Sequence, residues 1–207
     1  LKSLFALPWV SKEADPEAFL DYASWFSLPS PRTHFRHIRK LPAGCFLSLP
    51  LHGLQSFEPH RYWRYELDEV PDLTALEPAV EELDAVLRDS VKMHLRADVP
   101  VGVLLSSGLD SRVVVTYAQE LQEGRMQTFS VGFGGPDCEA QGAAATAQEI
   151  KSTHHGLELT SDDLLNNIEK IAWLLDEPVG DPAAFAVLKV FELARGHVKV
   201  LLSGEGS

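Results

Sequence analysis

Apolar positions along this chain change rhythm near residue 66. Beyond it, helical stripes alternate with short apolar runs. Leu76, Val80, Leu83, Leu87 and Val91 form a stripe at helical spacing that predicts an amphipathic helix ending near Arg96. Val101-Gly102-Val103-Leu104-Leu105 is a continuous apolar run suited to a strand buried on both faces. A helix is expected after Asp110. Gln127–Phe133 predicts a second strand, closed by Gly134-Gly135-Pro136, and Glu139–Ile150 an alanine-rich helix. Thr153–Leu159 predicts a third strand. Ser161-Asp162-Asp163 predicts the cap of one helix running to Leu175, and Asp181-Pro182 the cap of another stopping at Gly196. Val198–Leu202 predicts the last strand, which runs into Ser203-Gly204-Glu205-Gly206-Ser207. Strands alternating with helices predict an α/β fold: a parallel sheet with helices on both faces.

The front of the chain reads differently. Asp15-Pro16-Glu17 starts a helix with Asp as N-cap and Pro in the first turn, and Pro29 and Pro31 end it. Arg32–Lys40 is basic and predicts a loop or a short helix. Cys45–Leu49 predicts a strand bounded by Gly44 and Pro50. Glu66–Thr74 is acidic and contains proline, as a linker would.

The chain has 207 residues, 45% of them hydrophobic and 23% charged, enough to bury a core as one domain or two. A net charge of −12 argues against nucleic acid or an anionic membrane as the main partner. Two cysteines, Cys45 and Cys138, provide neither a disulfide framework nor zinc spacing, so a cytoplasmic location is expected. No apolar run reaches the length of a membrane span. The short apolar start is soon followed by Glu13, Asp15 and Glu17, unlike a signal peptide.

The chemistry concentrates at Leu104–Arg112, Leu-Leu-Ser-Ser-Gly-Leu-Asp-Ser-Arg. A buried strand, a turn of small residues and a helix start make an anion site, because backbone N–H groups can approach an oxyanion and the helix start adds partial positive charge. Asp110 is placed to hold a divalent cation against phosphate oxygens. No Gly-Lys-Ser/Thr follows, so this is not a Walker A loop. The turns at 106–110, 132–137 and 203–207 all leave carboxyl ends of predicted strands, where ligands of such sheets bind. His154 and His155 are neighbours on a strand and point to opposite faces, so a shared metal is not expected. Cys45 is expected in the core and Cys138 as a plain thiol. Asp181 reads equally as an N-cap or as a substrate or metal group.

Residues 104–111 also resemble the pyrophosphate loop, Ser-Gly-Gly-x-Asp-Ser, of enzymes that split ATP between its α and β phosphates. The order of segments then becomes specific: Leu-Leu-Ser-Ser-Gly-Leu-Asp-Ser, Thr-Phe-Ser-Val-Gly-Phe, His-His-Gly-Leu-Glu-Leu, Leu-Asp-Glu-Pro-Val-Gly-Asp-Pro and Val-Leu-Leu-Ser-Gly-Glu-Gly-Ser. Together they resemble glutamine-dependent asparagine synthetase. Residues 30–44 are similar to the end of that family's glutaminase domain, and Arg61-Tyr62-Trp63 to its passage into the synthetase domain.

The resemblance implies residues 1–65 as the C-terminal remnant of an N-terminal-nucleophile α+β glutaminase domain, 66–75 as linker, and 76–207 as the first part of an ATP-dependent synthetase domain of the adenine nucleotide alpha-hydrolase type. It implies a ligase that adenylates the side chain of aspartate with ATP and Mg²⁺, then transfers ammonia from glutamine to give asparagine. It allows a homodimer. Ser106, Ser107, Gly108, Asp110 and Ser111 match the pyrophosphate loop; Leu105, Val131, Ser203 and Gly204 match positions lining AMP. Glu205 matches the glutamate that accepts a proton as ammonia attacks, and Asp110 the Mg²⁺ carboxylate. Ser107, in place of glycine, and Arg112, in place of a small residue, depart from the pattern and leave room for another carboxylate substrate. A nucleotide-binding module without turnover is the further alternative; an enzyme that modifies tRNA fits the acidic chain less well. The family's N-terminal cysteine and its downstream lysine are not in this sequence, so an incomplete enzyme, inactive alone, is expected.

Overall fold

A computed structural model describes residues 1–50, 52, 57–66, 75–135, 139–181 and 183–205. The chain divides into two compact units, Leu1–Pro71 with Glu169–Asp181, and Asp72–Ile168 with Pro182–Ser207. Most of the expected linker, 67–74, lies outside the described residues.

In the first unit, helix α1 (Pro16–Trp25) starts where Asp15 accepts from the Glu17 N–H at 3.1 Å. It stops at Trp25, ahead of Pro29, because Phe26 turns left-handed at φ 55° and sends its N–H back to the Tyr22 carbonyl. Strands β1 (Cys45–Phe46) and β2 (His60–Arg61) pair antiparallel. The expected five-residue strand is therefore only two residues long, matching the two residues of its partner. The sequence pattern placed all of 76–207 together, yet Glu169–Asp181 groups with this first unit. Its ties explain why: Lys2 Nζ lies 2.8 Å from the Asp176 carboxylate, Lys40 Nζ 2.5 Å from Glu177, and the Gly180 N–H donates to the Phe26 carbonyl at 2.8 Å.

The second unit opens with α2 (Leu76–His94), followed by β3 (Val101–Leu104), α3 (Leu109–Leu121), β4 (Gln127–Gly132), α4 (Glu139–Glu149) and β5 (Thr153–Glu158). The single helix expected over 161–175 is broken into α5 (Ser161–Leu165), in this unit, and α6 (Ile168–Leu175), which from Glu169 onward belongs to the first unit. Asn166 and Asn167 sit at the break, where the Asn167 amide donates to the Asp163 carbonyl at 2.7 Å and competes with the helical ladder. The cap of α5 is Thr160 rather than Ser161, in a reciprocal capping box with Asp163. Helix α7 (Ala183–Ala194) and strand β6 (Val200–Leu202) complete the unit.

The four strands β3 to β6 form one parallel sheet in the order β5-β4-β3-β6. Strand alternation sends successive side chains to opposite faces. Val103, Leu105 and Leu202 pack with Val91 of α2, Val115 and Ala118 of α3, and Ala143 and Ala147 of α4. Leu104, Phe129, Val131 and Leu201 pack on the other side with Val190 and Ala194 of α7. Helices therefore cover both faces, as the alternating pattern predicts. Gly102 makes room on the α7 side: a Cβ there would lie 2.7 Å from the Phe129 ring and 3.2 Å from Leu201. The winding runs outward from β3 through β4 to β5, then returns to β6 on the other side of β3. Neighbouring crossovers at β3 and β6 thus diverge, which opens a crevice at their carboxyl ends.

Candidate functional site

The crevice begins where β3 ends. Leu105 extends the ladder by one residue, its N–H donating to the Phe129 carbonyl at 2.8 Å. The chain then turns through Ser106, Ser107 and Gly108 into α3. Ser111 braces this turn from within the helix. Its hydroxyl lies 2.9 Å from the Ser106 hydroxyl, 3.1 Å from the Gly108 carbonyl and 3.2 Å from the Ser106 N–H. One hydroxyl has one proton, so Ser111 donates once and accepts from the remaining donors. The Gly108 N–H donates to the Ser106 hydroxyl at 3.1 Å. Gly108 is the N-cap of α3 and makes no side-chain cap bond. The N–H groups of the first helical turn are thus not consumed by a side-chain cap, and the helix start retains its partial positive charge. Asp110 stands in that first turn.

The turn leaving β6 packs directly on this helix start. A Cβ on Gly204 would lie 2.7 Å from the Ser111 nitrogen and 2.9 Å from the Asp110 carbonyl carbon. Only a glycine lets the two main chains come so close. Ser203, Gly204 and Glu205 consequently face the same space as Ser106, Gly108 and Asp110. Between them lies a crevice of about 270 Å³. Its apolar side is built from Leu105, Val131 and Phe129, with Ala186, Val187 and Val190 of α7. One wall is apolar and the other is a helix start with hydroxyls and carboxylates, the pairing expected for a ligand with a flat apolar part and a charged part.

Nine of the ten residues singled out from the sequence line this one crevice. Ser107 is the tenth: its Cβ side faces Gly142 of α4, where an added Cβ would approach it to 2.7 Å. The structure also adds residues that pattern reading missed. Glu139, in the first turn of α4, lines the crevice. An acidic residue just after the loop leaving a strand's carboxyl end was the available signal. The α7 residues carried no comparable signal, because they approach from the far face of the sheet. Asp181 is exposed, at the end of the segment grouped with the first unit.

The carboxylates Asp110, Glu139 and Glu205 border the crevice, but among the described residues none forms a cluster of three metal-ligating side chains. One or two of these carboxylates could hold a divalent cation only together with oxygens supplied by a ligand.

His154 and His155 do not line the crevice themselves but lie behind Ser130 and Phe129, which do. His154 bonds Thr128 at 3.0 Å and Ser130 at 3.2 Å, whereas His155 stacks on Phe129 and lies 4.0 Å, ring to ring, from His197. Burial, and secondarily the neighbouring imidazole, push both below the usual histidine range. Cys45 is a half-buried free thiol, and Cys138 lies outside the described residues. No helix among the described residues is long and apolar enough to cross a membrane.

A parallel α/β sheet with a braced strand-to-helix turn at its switch point defines the fold class, one in which ligands bind at strand carboxyl ends. Residues 82–207 match the asparagine synthase family, and the chain belongs to it. The chain is 34% identical to asparagine synthetase [glutamine-hydrolyzing] 1 of Bacillus subtilis over 94% of its length, covering 30% of that relative. It is 33% identical to asparagine synthetase B [glutamine-hydrolyzing] of Escherichia coli over 83% of its length, covering 33% of it. A Methanocaldococcus jannaschii relative is 34% identical over all of this chain, which covers 40% of it. The chain thus spans well under half the length of these relatives. Among solved structures it is similar to the NH3-dependent NAD synthetase of Campylobacter jejuni, with a TM-score of 0.41, 9% identity and coverage of 58% of this chain and 54% of that one.

Proposed function

We propose that the full-length protein makes asparagine from aspartate, ATP and glutamine-derived ammonia, and that the crevice at the ends of β3, β4 and β6 is where aspartate is adenylated. What carries this reading is the convergence of the Ser106–Ser111 turn and the Ser203–Glu205 turn on one crevice, inside the segment that matches the asparagine synthase family.

A carboxylate is a poor acceptor for ammonia, and adenylation supplies a leaving group. An oxygen of the aspartate side chain attacks the α-phosphorus, the bond to the bridging oxygen breaks, and pyrophosphate departs with the electron pair. The start of α3, whose first-turn N–H groups no side chain caps, and the hydroxyls of the Ser106–Ser107 turn take up the charge that develops on pyrophosphate. Asp110 would hold Mg²⁺, which supplies further neutralisation of phosphate charge when bound. Leu105 and Val131 hold the adenine end by apolar contact, with Ser203 and Gly204 beside the AMP portion. Ammonia then attacks the acyl carbon, loses a proton, and AMP leaves. Glu205 takes that proton, because a carboxylate beside the phosphates would repel them unless it faced the substrate side.

The test separates the two half-reactions in the full-length protein with ammonia supplied directly. Glu205→Gln is expected to keep ATP binding and aspartate-dependent release of pyrophosphate and to lose amide formation. Amide made at the parent rate would remove Glu205 from the mechanism. Loss of ATP binding would make it a ligand of metal or loop instead. Pyrophosphate release driven by a carboxylate other than aspartate would move the protein to a different substrate within the family.

A further inference from the structure

Gly142 interrupts an alanine-rich helix, Glu-Ala-Gln-Gly-Ala-Ala-Ala, where glycine weakens the helix and alanine would strengthen it. Its neighbour across space accounts for it. A Cβ on Gly142 would lie 2.7 Å from the Ser107 Cβ and 3.5 Å from the Ser107 Cα. The Ser107 Cβ is fixed to the main chain, so relief would require moving the turn itself. Glu139 is on the same face of α4, three residues earlier, and lines the crevice.

We propose that Ser107 and Gly142 form a size-matched pair that sets the position of the phosphate-binding turn and of Glu139, so that Gly142 is a positioning residue for nucleotide use. The pair works through space alone: the side chain present at 107 is accommodated by the side chain missing at 142. A Cβ added to α4 pushes on the turn that carries the Ser107 and Gly108 N–H groups, and it tilts the first turn of α4 away from the crevice. Removing the Ser107 side chain gives the space back. This rests on the crevice being the ATP site.

The experiment is a double-mutant cycle in the full-length protein, read as aspartate-dependent ATP–pyrophosphate exchange and as thermal unfolding. Gly142→Ala is expected to raise the KM for ATP about tenfold to a hundredfold, the scale of a displaced binding turn, with a smaller change in kcat. Ser107→Gly added to Gly142→Ala is expected to restore most of the KM and of the melting temperature. An unchanged KM in Gly142→Ala would overturn the proposal. So would a double variant no better than Gly142→Ala, including one that also fails to fold. Absence of exchange in the parent protein would overturn the site's function rather than the pairing. The melting cycle then decides the pairing: additive changes reject it, and recovery in the double variant supports it.

Discussion

Replacing Gly204 by alanine is the sharpest perturbation of the crevice, because the three atoms nearest the added one are all main chain. Its Cβ would lie 2.7 Å from the Ser111 nitrogen, 2.9 Å from the Asp110 carbonyl carbon and 3.0 Å from the Ser111 Cα. Ordinary contacts between heavy atoms lie at about 3.5–4.0 Å, so roughly 0.5–1 Å must be recovered by backbone movement. None of these three atoms is the tip of a flexible side chain that could give way. Overpacking of this kind costs about 1–3 kcal/mol, and the absence of a soft neighbour places Gly204→Ala near about 2–3 kcal/mol. For a protein of this size each kcal/mol lowers the melting temperature by about 2–4 °C, so a drop of about 4–12 °C is expected. The same shift moves the start of α3, and ATP affinity should fall with it. Thermal unfolding with and without ATP measures both. A variant that melts within about 1 °C of the parent and binds ATP equally well would refute the close approach between the β6 turn and α3.

Gly102→Ala should destabilise by about 1–3 kcal/mol in chemical denaturation, since its Cβ would lie 2.7 Å from the Phe129 ring and 3.0 Å from the Gln127 carbonyl oxygen. Phe129 is itself fully buried and has little room to retreat. Stability should also fall as the pH drops below about 6.5, the unfolded histidine value. His154 and His155 are held below that value, chiefly by burial, so the unfolded chain takes up protons first. Their contribution is fully present above the unfolded pKa and is lost as pH falls toward the folded one. Denaturation midpoints at several pH values check this, with a shallower decline expected for His154→Asn.

Much of this architecture was legible because the apolar runs and stripes obey one period at a time. Val101–Leu105 reads as a buried strand and is one, with helices packed on both faces. The serine-rich turn was legible for the same reason, since it stands between an unambiguous strand and an unambiguous helix. What was not legible depends on contacts between distant positions. At the break the Asn167 side chain bonds the Asp163 carbonyl while its backbone N–H goes to the Leu164 carbonyl, and helical periodicity alone continues across it. Grouping of Glu169–Asp181 with the first unit depends on Lys2 and Lys40 meeting Asp176 and Glu177, more than a hundred positions away in the chain. Ser107 read as a member of the turn between β3 and α3, and its backbone lies in that turn, but the direction of its side chain toward Gly142 follows only from where α4 lands.

In the proposed reaction the turn leaving β3 holds the pyrophosphate end of ATP, with Asp110 beside it. Aspartate-dependent ATP–pyrophosphate exchange in the full-length protein, compared between parent and Asp110→Asn, tests this most directly. Asparagine is nearly isosteric and removes only the charge, so the loop should keep its shape while exchange falls by roughly 10²–10³, the scale for losing one preorganised charge-stabilising group. Exchange at the parent rate in a correctly folded Asp110→Asn protein would contradict the assignment of this crevice.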